Sequence, residues 1–99
     1  MYLINITIKA DQVPADKAEE LLAGHRAWFS AQAAAGNFLV VGPYRDKSMA
    51  GVVMAQAESR EALDDIIAQD AYYPDLASYE VREFQANLIA DNLTDYKGK

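Results

Sequence analysis

Residues 2–9 set the first constraint on the fold. Tyr2, Ile4, Ile6 and Ile8 fall on one side of a strict alternation, and Leu3, Asn5, Thr7 and Lys9 on the other. A period of two marks a strand with one strongly apolar face, and the rest of the chain must cover that face. The next segment changes period. Ala18, Leu21, Leu22, His25, Trp28, Phe29 and Gln32 recur at three-to-four spacing, the pattern of a helix with a buried stripe. Pro14 suits its first turn and Gly36 its C-terminal stop, so the spacing predicts a helix over 14–35.

The second half repeats the scheme. Phe38 to Val41 reads as a strand closed by Gly42-Pro43, with Phe38 and Val40 facing one way and Leu39 and Val41 the other. A polar connection, Tyr44 to Ala50, leads to a strand over 51–57 in which Val52 and Met54 oppose Val53 and Ala55. Ser59 is a good N-cap for a helix that buries Leu63, Ile66 and Ile67 and ends at Asp70. An aromatic loop, Tyr72-Tyr73-Pro74-Asp75, precedes a strand over 79–86. The order βαββαβ predicts an α+β, ferredoxin-like fold: a four-stranded antiparallel sheet with both helices on one face. Strands two and three are apolar on both faces, so the second face needs a cover. In a 99-residue chain another copy of itself is the natural one, and a homodimer packed sheet against sheet is expected. Residues 1–86 form the domain. Residues 87–99 form a C-terminal extension with one apolar pair, Leu88-Ile89, that either packs or frays.

Composition removes several function classes. A net charge of −6 with scattered basic residues disfavours nucleic acid and anionic membrane surfaces. Without cysteine there are no disulfides and no thiolate chemistry, and one histidine argues against a zinc site; neither metal nor cofactor is expected. No apolar run approaches the roughly 20 residues of a membrane span. The start, Met1-Tyr2-Leu3-Ile4-Asn5, has no basic leader, which predicts a cytoplasmic protein.

Chemistry concentrates at two residues that sit awkwardly as pure structure. His25, the only histidine, lies on the apolar stripe of the first helix, where it is either a buried structural ring or a proton-transfer group in a dry pocket. Asp70 falls at a helix C-terminus, where the macrodipole disfavours a carboxylate, and a carboxylate can orient an imidazole. Tyr72 and Tyr73 are candidates to wall a pocket and offer a phenol hydrogen bond. Gly42-Pro43 allows close approach of a ligand to backbone, and the connection carrying Arg45, Lys47 and Ser48 gates a cleft or binds an anionic group, unless it is a solvated hairpin.

These residues also carry a resemblance. A histidine in the first helix, then Gly36, Phe38-Leu39-Val40-Val41-Gly42-Pro43, Ala57-Glu58-Ser59-Arg60-Glu61-Ala62, Asp70 with an aromatic two residues on, and Val81-Arg82-Glu83-Phe84 together resemble the YciI-like (YCII-related) domain family, over residues 2–85. The resemblance implies a ferredoxin-like fold that dimerises as an α+β barrel, and an active site with a histidine and an aspartate, here His25 and Asp70. Lyase-type dehydrochlorination is attributed within the family, and the wider barrel group includes isomerases and cofactor-free oxygenases. Where the family usually has Asp-Pro-aromatic, this chain has Asp70-Ala71-Tyr72.

The leading expectation is an enzyme with a His25–Asp70 dyad that moves a proton on a small organic molecule, in an elimination or isomerisation, with Tyr72, Gly42, Pro43 and Ser48 at the substrate. Its alternative is a non-catalytic ligand-binding or accessory homodimer in which the pair is structural. A cofactor-independent oxygenase is the third possibility.

Overall fold

The computed structural model describes residues 1–99. Its strands are β1 (Tyr2–Ile8), β2 (Phe38–Pro43), β3 (Ala50–Ala55) and β4 (Ala77–Glu83), and its helices are α1 (Ala18–Ala34) and α2 (Arg60–Ile67). Short 3-10 turns occupy Ala10–Gln12, Ala15–Lys17 and Leu93–Tyr96. The sheet order is β2-β3-β1-β4 with every neighbouring pair antiparallel. This is the expected ferredoxin-like arrangement, with each helix forming a crossover between strands that are not neighbours.

The alternation in β1 works as read. Tyr2, Ile4 and Ile6 are buried and join Trp28 of α1 and Leu63 and Ile67 of α2 in one core cluster, so both helices cover the same sheet face. Register ties the strands to β1: Ile4 pairs with Val53 on one side and Val81 on the other. β3 and β4 both stop where β1 begins, at Ala55 and Glu83 opposite Tyr2. The expected ends at 57 and 86 therefore overshoot: β4 closes with the Phe84 amide donating to the Met1 carbonyl, and β3, whose other neighbour β2 begins at Phe38 opposite Ala55, closes with the Gln56 amide donating to the Asn37 carbonyl, both at 2.9 Å.

Three other local expectations change. The register of β2 slips between Phe38 and Val40, so Leu39 is a bulge residue. Phe38 and Val41 then share the core face, while Leu39 and Val40 both turn outward, 50% and 39% exposed. The first helix starts at Ala18, not 14: Pro14 stays extended and the chain enters through a 3-10 turn without a side-chain cap. α2 ends at Ile67, so Asp70 does not close it. The amides of Gln69 and Asp70 bond back three residues, to Ile66 and Ile67, and these tightened turns carry the chain away from the helix axis.

Other signals act as expected. The Ser59 hydroxyl caps α2 by accepting from the Ala62 amide at 3.1 Å, and Gly36 takes the positive φ of a helix stop. Beyond β4 the chain is an exposed arm, with Leu88 96% exposed. The sheet face away from the helices carries Leu39, Val40, Val52 and Met54 with no cover from this chain's helices. No helix is long and apolar enough to cross a membrane.

Candidate active site

The site is built where α1 meets the segment that follows α2. His25, Trp28 and Gln32 are the buried positions of α1, three and four residues apart and hence on one face. The turn after α2 must come close to that face, and Gly24 permits it: a Cβ there would lie 3.0 Å from the Cβ of Ala71. The Trp28 indole donates to the Ile66 carbonyl at 2.9 Å, fixing the end of α2 on α1. These contacts bring Asp70, forty-five residues away in sequence, against the imidazole.

His25 Nδ1 donates to Asp70 Oδ1 at 2.7 Å, and the Asp70 side chain is wholly buried. The other carboxylate oxygen, Oδ2, accepts from the Tyr79 hydroxyl at 2.5 Å. Charge-assisted bonds of this length fix the carboxylate from two sides, and the carboxylate in turn fixes the ring and its tautomer. With Nδ1 donating, the lone pair of the neutral imidazole is on Nε2. That nitrogen makes no hydrogen bond within the chain, yet no buried side-chain nitrogen or oxygen goes unpartnered. Nε2 is therefore open to the cleft that His25 lines.

Aromatic rings enclose the imidazole. Phe29 meets it edge-on with centroids 4.3 Å apart, and Tyr72 and Trp28 lie at 5.0 and 5.8 Å. Both phenols near Asp70 hold their protons more tightly than usual. Burial is the main cause at Tyr79, followed by its hydrogen bond to Asp70 and then the Asp70 charge. Burial and the Asp70 charge act in the same way on Tyr72, against an opposing pull from Arg26. The site thus joins one imidazole to one carboxylate and, through it, to the Tyr79 phenol, with the Tyr72 ring against the imidazole. It can accept or deliver a proton at Nε2 and stabilise the charged ring.

The cleft has a volume of about 440 Å³ and lies between α1 and the β2–β3 end of the sheet. Ile6, Ile8, Leu22 and Phe29 give it apolar walls. Gly42, Pro43 and Ser48 line it together with His25. Gly51 forms part of its floor, and a Cβ there would meet the Gly42 carbonyl oxygen at 2.9 Å. Met49, also in the lining, adopts φ of 56° just before β3 and gives its carbonyl to the Ile8 amide at 2.8 Å. Tyr72 is not in the cleft. It is 2% exposed and packs in the core behind the imidazole, because the turn after α2 folds inward and not along the opening.

Sequence reasoning missed Tyr79 and Arg26. Tyr79 lies opposite Ile6 and shares the core-facing side of β4 with Ala77 and Val81. The signal was a phenol on an apolar strand face, which needs a polar partner when buried. Arg26 follows His25 directly and reaches the same cleft.

The family model for the YCII-related domain matches residues 1–85. No curated protein gives a significant match.

Proposed function

The chain belongs to the YCII-related domain family, and we propose that its His25–Asp70 pair is an acid–base dyad that abstracts a proton from a small organic molecule and delivers it to another atom of that molecule in an isomerisation, or to the departing group in an elimination. One observation carries this reading: Nδ1 is committed to a carboxylate that is itself held by Tyr79, while Nε2 is left to the cleft. Substrate bound among Ile6, Leu22 and Phe29 would present a C–H bond, or a leaving group, to that nitrogen. Asp70 orients the ring and stabilises the imidazolium formed when the proton moves. Such transfer supplies about 10²–10⁴-fold in rate. That magnitude suits a substrate whose proton is already acidic, such as one next to a carbonyl.

The test is hydrogen–deuterium exchange. A panel of carbonyl compounds is incubated with the protein in deuterium oxide and read by NMR. Exchange above buffer that falls by about 10²–10⁴-fold in both His25→Gln and Asp70→Asn supports the dyad; equal exchange in wild type and variants sinks it.

A second reading has its own support. The Asp70 side chain is fully buried and the imidazole is ringed by aromatics, as in a structural pair of a ligand-binding or accessory protein. It predicts loss of stability in both variants and no exchange by the wild type on any panel member.

The uncovered sheet face carries a separate proposal, a homodimer packed through Leu39, Val40, Val52 and Met54. Sedimentation equilibrium should give twice the chain mass, and Val40→Glu should return a monomer; a wild-type monomer throughout the micromolar range removes the proposal.

A further inference from the structure

The chain carries 15 acidic and 9 basic residues, yet the cleft reverses that balance. Arg26 and Lys47 both line it, Ser48 adds a hydroxyl, and no aspartate or glutamate does. Neither cation is spent on an ion pair: the only pairs in the chain are His25–Asp70 and Arg60–Asp64. The two charges come from different elements, Arg26 from α1 and Lys47 from the β2–β3 connection, so the fold converges them on one opening. Arg26 is close enough for its charge to act on the Tyr72 phenol, which lies against the imidazole. The remaining walls are apolar, from Ile8, Leu22 and Phe29.

We infer that the cleft takes a small organic carboxylic acid, its carboxylate held between Arg26 and Lys47 and its apolar body laid along Ile8, Leu22 and Phe29 beside His25. The inference rests on the acid–base reading of the same site and names its substrate class. Two separated monocations on apolar walls match a single carboxylate with a hydrophobic body. A guanidinium presents paired donors to a carboxylate, and the lysine adds a point charge. No glycine-rich backbone cradle of the kind that holds phosphates is present, since Gly42 and Gly51 are both strand residues of the β2–β3 pairing, opposite Val52 and Pro43.

The probe is benzoate, titrated into the full-length protein and followed by NMR at the His25 ring protons and the Ser48 and Gly51 amides. Benzamide and phenyl phosphate serve as the neutral and dianionic controls. Saturable benzoate shifts are expected, with benzamide at least about tenfold weaker. Arg26→Gln and Lys47→Gln should each weaken benzoate by about 3–10-fold, and the double variant by about 30-fold or more. Equal affinity for benzamide, tighter binding of phenyl phosphate, an unaffected double variant, or no saturable benzoate shift up to about 50 mM would each overturn the inference. The same titration in His25→Gln separates the two claims. Benzoate binding that survives there while no panel compound exchanges in the wild type breaks the catalytic reading alone. Exchange that depends on His25 but ignores Arg26 and Lys47 breaks the carboxylate inference alone.

Discussion

Two polar clusters tie α1 to the chain after α2, and they differ in a telling way. They lie seven residues apart on the same helix, about two turns along one face. In the first, His25 meets Asp70, and Asp70 meets Tyr79. In the second, the Gln32 amide donates to Gln69 Oε1 at 3.3 Å, and Gln32 Oε1 accepts from the Asn37 amide at 2.8 Å. Both bridge elements that sequence separates by more than thirty residues. The second does so with neutral groups, two of whose three members reach solvent. The first buries a carboxylate completely, which carries a desolvation penalty that seating a turn on a helix does not require. It also leaves one atom, Nε2, unengaged at a cleft. Position alone therefore does not explain the His25 cluster, whereas it fully explains the Gln32 cluster.

The largest effect that distinguishes them is on proton exchange. Loss of about 10²–10⁴-fold in His25→Gln corresponds to about 3–5 kcal/mol of barrier, and no substitution at Gln32 should approach it.

Tyr79→Phe comes next. It deletes one of the two hydrogen bonds to a buried carboxylate and should cost about 1–3 kcal/mol, measured by urea unfolding at neutral pH. The variant also has a pH signature. The folded protein holds the Tyr79 proton beyond the ordinary phenol range, through burial first and then the bond to Asp70. Above about pH 10 the unfolded chain releases that proton while the folded chain keeps it. The unfolded state then binds fewer protons, and stability falls as pH rises from there. The contribution is fully present below about pH 10, so Tyr79→Phe should flatten the alkaline decline by up to one proton's worth of slope. Tyr72, whose phenol is also raised by burial, acts in the same direction. An unchanged decline in Tyr79→Phe would remove Tyr79 from the cluster's energetics.

The sequence made the framework legible because the periods of β1 and of the two helices are strong and their order admits few topologies. His25 and Asp70 stood out as residues at odds with their local structure, and the fold does bring them into contact. What escaped reading depends on pairing. The bulge at Leu39 is a slip in the pairing of β2 with β3, and no local pattern announces it. β4 ends at Glu83 where β1 begins, and β3 ends at Ala55 where both β1 and β2 begin, limits set by other strands. Tyr72 sat next to Asp70 and suggested a pocket wall, but the inward turn made it core. Tyr79 and Arg26 became visible only once register and helix phase placed them near the dyad.

The smallest effect belongs to Gln32→Leu, and it bears directly on the difference between the clusters. Gln32 is itself buried, so removing its amide without filling the space would leave a void. Leucine is close in volume and retains the helix stripe formed with His25 and Trp28. Its former partners are not trapped: Gln69 is exposed and Asn37 half-buried, and both amides can turn to water. The lost bonds, each worth about 1 kcal/mol at most in such a setting, are then offset by apolar burial. The expected outcome is a stability change within about 1 kcal/mol by urea unfolding and proton exchange equal to wild type. Asp70 has no such outlet, since its side chain is sealed on all sides. If Gln32→Leu instead destabilised the protein as strongly as Tyr79→Phe, the two clusters would be energetically alike. The burial of the carboxylate would then lose its value as a sign of function.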